Sequence, residues 1–151
     1  MTLVNEAGWH VDLSDMRCGR ATPLQYLERL DAAFQLFGDD IRFEGFDEGP
    51  GRHDRRLRTS QRDIEGESPS MDDLVTWLES RGFEEQPGLD IGAYFAKTFR
   101  RGNAWLFDVR PPNFIEAGGV MFPIDVIVVF EPQRKLLRQV LATRSLSAPA
   151  G

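Results

Sequence analysis

The chain has 151 residues, 41% of them hydrophobic and 28% charged, with a formal net charge of −6. That length supports one domain with a real core, and the acidic balance argues against a general nucleic-acid binder, which needs a basic face to displace counterions. No apolar run reaches the roughly 20 residues of a membrane helix, no basic-then-apolar leader opens the chain, and the lone Cys18 has no internal partner; together these predict a cytoplasmic protein with no membrane association.

WHVDLSD (9–15) has the character of a short strand. ATPLQYLERLDAAFQLFGDD (21–40) is a helix with Thr22 as N-cap, Pro23 in its first turn and Gln25 completing a capping box. Leu24, Leu27, Leu30, Phe34 and Phe37 recur every three or four residues, so one stripe is expected to face a core, and Gly38 ends the helix. IRFEGFD (41–47) and RLRTSQRDI (56–64) alternate apolar and polar residues on either side of EGPGRHD (48–54), a β-hairpin with a long loop. Its arginines, Arg52, Arg55, Arg56, Arg58 and Arg62, read either as a solvated face or as an anion contact.

A second helix begins after Ser70, with Asp72 and Asp73 in its first turn and Leu74, Trp77 and Leu78 on one face; Gly82 and Phe83 close it. A meander follows, AYFAKTF (93–99), AWLFDV (104–109) and VMFPIDVIVVF (120–130), with turns at RRGN and EAGG. PQRKLLRQVLAT (132–143) is a short amphipathic helix, and SLSAPAG (145–151) has the composition of a disordered tail. Strands and helices mix without regular alternation, so the class is α+β: antiparallel hairpins and a meander packed with two or three amphipathic helices, one domain over 1–144.

Three polar side chains stand out in the apolar C-terminal half. Asp108 precedes Asn113 by five residues across a Pro-Pro turn, and Asp125 lies one hairpin further on. If the strands around EAGG pair, Asn113 and Asp125 approach the same end of that hairpin. A carboxylate and an amide oxygen there suit Mg²⁺, with Asp108 placed to accept a proton from an attacking hydroxyl. The competing reading gives Asp108 and Asn113 to turn amides and Asp125 to a bulge. A carboxylate buried in PIDVIVV would be costly without a donor or a metal.

The order Asp, Asn, hairpin, Asp is that of the catalytic loop and metal-binding Asp of protein kinases. DVRPPNFIEAGGVMFPIDVIVV (108–129) resembles the kinase-like domain of polyvalent proteins, multidomain proteins of phages and other mobile elements, with its D-x-[RH]-P-x-N loop and P-I-D strand. The similarity extends over residues 22 to 130. It implies a partial protein-kinase-like fold, Mg²⁺ and ATP as cofactors, Asp108 as catalytic base, and Asn113 and Asp125 as metal ligands; in an active enzyme Arg110, two residues after Asp108, is the candidate to face the transferred phosphate. It also implies Glu28 as the acidic partner of an ATP-binding lysine, and an adenine-binding hinge near residues 60–65, with Ser60 and Gln61 at its start.

The departures are equally specific. No glycine-rich loop precedes the first helix, the first lysine is Lys97, Leu106 and Phe107 stand before Asp108 in place of His-Arg, and Val126 and Ile127 follow Asp125 in place of Phe-Gly. Because phosphoryl transfer depends on positioning and charge neutralisation, the sequence predicts a degenerate kinase-like, pseudokinase-like module that binds a protein partner or its own copy. The alternatives are an active ATP- and Mg²⁺-dependent phosphotransferase and a structural α+β domain without a nucleotide site.

Overall fold

In the computed structural model, residues 8–38, 41–48 and 55–131 are described. The helix expected from Pro132, the tail over 145–151 and the hairpin loop over 49–54 lie outside them. Among the described residues, two α-helices and ten short strands make an α+β fold in which every sheet is antiparallel, as the sequence predicts.

The centre is a four-stranded sheet in the order β10 (Ile127–Phe130), β7 (Ala104–Val109), β6 (Lys97–Arg101), β5 (Glu84–Glu85). Strand β7 explains why it is buried on both sides. Trp105 and Phe107 join Ile127 and Val11 in one apolar cluster, while Leu106 joins Phe99, Val128, Leu74 and Leu78 in the other. The first cluster is covered by the hairpin β1 (Trp9–Asp12) and β2 (Arg17–Arg20), the second by helices α1 (Pro23–Phe37) and α2 (Met71–Ser80). At Asp108 the backbone turns left-handed, with φ 55. The alternation breaks there, and Val109 falls on the same side as Leu106.

Both helix signatures behave as read. Thr22 accepts from the Gln25 N–H and the Gln25 side chain accepts from the Thr22 N–H, a closed capping box. Helix α2 ends in a Schellman turn: Phe83 N–H reaches Leu78 O, Gly82 N–H reaches Glu79 O, and Gly82 takes φ 81.

The apolar stripe expected on α1 forms only in part. Phe37 packs on the core, stacked with Trp77 and Phe83, but the helix turns Arg29, Ala32 and Ala33 to the interior, while Leu24 and Phe34 are exposed and Leu27 and Leu30 only half-buried. The close approach of α1 to β10 needs small residues, and alanines provide it.

Two strands also differ from expectation. VMFPIDVIVVF divides into β9 (Val120–Pro123), which pairs with β8 (Phe114–Ala117), and β10, which pairs with β7. The break falls at residues 124–126. Tyr94 and Phe95 precede β6 in an exposed turn instead of lying in it. The hairpin β3 (Arg42–Glu48) and β4 (Arg55–Ser60) forms with a bulge at Glu44, between Phe43 and Gly45, so Phe43 and Phe46 meet edge-to-face on one exposed side. No described helix is long and apolar enough to cross a membrane.

Candidate functional site

The stretch Val109–Phe114 returns on itself. Arg110 is extended, Pro111–Asn113 form one 3-10 turn, and the Asn113 N–H donates to Arg110 O at 3.0 Å. Two consecutive prolines fix φ and have no N–H to leave unpaired, which suits the turn. The buried Asn113 amide then donates to both the Asp108 backbone carbonyl, at 2.8 Å, and Asp108 Oδ2, at 3.0 Å. The D-x-x-x-x-N spacing therefore does bring the two side chains together.

Asp108 Oδ1 accepts two more bonds, from the Ala93 N–H at 2.9 Å and from Arg110 Nε at 3.1 Å. Only 14% of the Asp108 side chain is exposed. Gly92 makes that contact sterically feasible: a Cβ there would overlap the Asp108 carboxylate, and its φ of 128 suits only glycine. Asp108 thus acts as a hub that ties β7, the proline turn and the loop before β6 into one unit. Arg110, expected to face a transferred phosphate, is turned onto Asp108 instead.

Asp125 belongs to the neighbouring position but to a different partner. Ile124 N–H donates to Asn113 O at 2.9 Å, which brings the end of β9 beside the proline turn. One residue later Asp125 sits at the strand break with 68% of its side chain exposed, so the carboxylate is not buried among the valines as the sequence suggested. Its Oδ1 accepts from Arg29 Nη2 at 2.6 Å. Arg29 comes from α1, is 7% exposed, and also donates to Val126 O and Trp9 O, each at 3.2 Å. One guanidinium therefore locks α1, β1 and the β9–β10 break together.

Arg29 is the residue that sequence reasoning missed. Its signal was positional, since it shares a helix face with Ala32, Ala33 and Leu36, one turn apart. Glu28, one position earlier, is exposed, and no described cation pairs with it. Ser60 ends β4 with its hydroxyl donating to Glu44 Oε1 at 2.5 Å, and Gln61 follows it, exposed. Neither Glu28 nor Ser60 is a partner of Asp108, Asn113 or Asp125. The stretch after Gln61 does approach the site's hairpin: Glu67 and Glu116 exchange two backbone bonds, of 3.1 and 2.7 Å.

As a Mg²⁺ site this donor set fits poorly. A hard dication takes carboxylate and carbonyl oxygens, yet Asp125 Oδ1 already faces the Arg29 guanidinium, and Asn113 turns its Nδ2 onto Asp108. Among the described residues no group of three His, Cys, Asp or Glu side chains converges as metal ligands do.

Electrostatically, Cys18 on β2 reports on both centres. Partial burial raises its pKa, the Asp108 carboxylate raises it further, and the Arg29 guanidinium lowers it. Cys18 therefore lies within the field of both charged groups. No family model, curated protein or solved structure matches the chain.

Proposed function

We propose that this chain is a degenerate kinase-like module that binds a protein partner and does not transfer phosphate. The Asp, Asn, hairpin, Asp order supports the kinase-like reading, and the contact of Asn113 with the Asp108 carbonyl and carboxylate gives that order a geometric counterpart. The observation that carries the non-catalytic half is the ion pair of Arg29 with Asp125. A cationic group already stands where a metal would have to approach.

Asp108 has a structural use in this reading. Through Ala93 it fixes the turn that displays Tyr94 and Phe95, whose rings lie 3.9 Å apart and which are 83% and 76% exposed. Phe95 holds a left-handed φ of 64, a strained geometry for an aromatic residue. Exposed aromatics on a rigidly held turn are typical anchors of protein interfaces.

Thermal unfolding of the full chain with millimolar ATP, with and without Mg²⁺, tests the proposal. The expected result is no Mg²⁺-dependent rise in Tm. A saturable rise that requires Mg²⁺ and disappears in Asp125→Ala would overturn it in favour of an active phosphotransferase.

A further inference from the structure

Helix α1 packs Leu36 and Phe37 on the core but leaves other large apolar residues outside. Leu24 and Phe34 are exposed and Leu27 half-buried, along the side opposite Ala32 and Ala33. Next to this stripe, α1 and β10 enclose an open cavity of about 230 Å³, walled by Ala32, Val129 and Phe130 and rimmed by Glu28 and Asp31. No described cation pairs with Glu28, and the described partner of Asp31 is the Gln35 amide. Amphipathic helices normally place such a stripe against another apolar surface.

We propose that this face is the docking surface for the chain's own segment 132–143, which lies outside the described residues. Charge complementarity selects it. The segment brings Arg134, Lys135 and Arg138 with no acidic residue, opposite the acidic rim of Glu28 and Asp31. Leu136, Leu137, Val140 and Leu141 recur at helical spacing and match the apolar wall. Connectivity agrees, because the segment follows β10, whose Phe130 is part of that wall, and the Glu131 N–H is fixed to Asn103 O at 2.7 Å. Twelve residues in helical conformation would extend about 18 Å, against about 22 Å for the 15 residues of α1, a length that matches most of that helix.

Limited trypsin digestion of the full-length protein tests this, following cleavage after Lys135 with light scattering to record mass. The comparison is wild type against Glu28→Arg/Asp31→Arg, two exposed changes that leave the core intact. Docking predicts a monomer in which the double variant is cut after Lys135 about tenfold faster, as the open population grows, with cleavage after Arg100 unchanged. Equal rates after Lys135 in the two proteins would overturn the proposal. Protection that vanishes on dilution together with a dimer mass would also overturn it, and would assign the stripe to a second copy.

Discussion

Asp108 and Asp125 flank one hairpin and are held in opposite ways. At Asp108 the acid is the hub: a nearly buried carboxylate gathers donors from Ala93, Arg110 and Asn113. At Asp125 the base is the hub: a buried guanidinium gathers acceptors from Asp125, Val126 and Trp9, and the acid itself is mostly in solvent. The lesson concerns where the free energy resides. Removing the hub strands several partners, whereas removing an exposed spoke strands few.

The largest effect is expected at Arg29. Arg29→Met keeps much of the apolar stem but leaves two backbone carbonyls and a carboxylate without their donor. The expected loss is about 2–4 kcal/mol, since each buried acceptor left unsatisfied costs about 1–3 kcal/mol. It would appear as a lower urea midpoint at unchanged slope. A midpoint equal to wild type would make Asp125, and not Arg29, the organising group.

At the other hub the effect is smaller. Asp108→Ala removes the acceptor of three donors and leaves alanine in a left-handed conformation, an expected cost of about 2–3 kcal/mol. Gly92→Ala presses on the same contact from the opposite side and should cost about 1–3 kcal/mol through backbone strain and steric overlap. Both substitutions should speed hydrogen exchange at the Ala93 amide while leaving the interior of α2 protected. Uniform loss of protection would show that the Asp108 unit is not separable from the core.

The smallest effect is read at Cys18, which senses both hubs. The thiolate is the form that alkylates. With its pKa raised by partial burial and by Asp108, Cys18 should react with iodoacetamide more slowly than a free thiol at mildly alkaline pH. Asp108→Asn removes a raising charge and should quicken the reaction; Arg29→Met removes a lowering charge and should slow it. The linkage follows the same sign. The fold favours the protonated thiol, so the stabilisation it supplies is complete below the unfolded pKa and is lost as pH rises through the higher folded value. Rates that move the other way would separate Cys18 from the two centres.

Local signals were legible in the sequence because local chemistry decides them. The capping box at Thr22 and Gln25, the glycine stop at Gly82 and the buried strand 104–109 each need only neighbouring residues. The meeting of Asp108 with Asn113 belongs to the same class, since two prolines and a five-residue spacing close the turn by themselves. Arg29 was illegible because two of its three partners lie 96 and 97 residues along the chain and an arginine between leucines reads as solvent-facing. The same ambiguity inverted α1: its leucines form a regular stripe, and only the close packing of β10 shows that the alanine side faces inward. The split of 120–130 into two strands was hidden by continuous hydrophobicity, with Pro123 and Asp125 marking the break.

Arg29 engages the Asp125 carboxylate, and the proposed non-catalytic module holds no metal there. Titration of the full chain with Mn²⁺, a paramagnetic substitute for Mg²⁺, followed by water-proton relaxation with and without ATP, tests it most directly. The expected result is no saturable site on the protein up to millimolar Mn²⁺, in wild type or in Asp125→Asn. A stoichiometric Mn²⁺ site that Asp125→Asn abolishes would contradict the account.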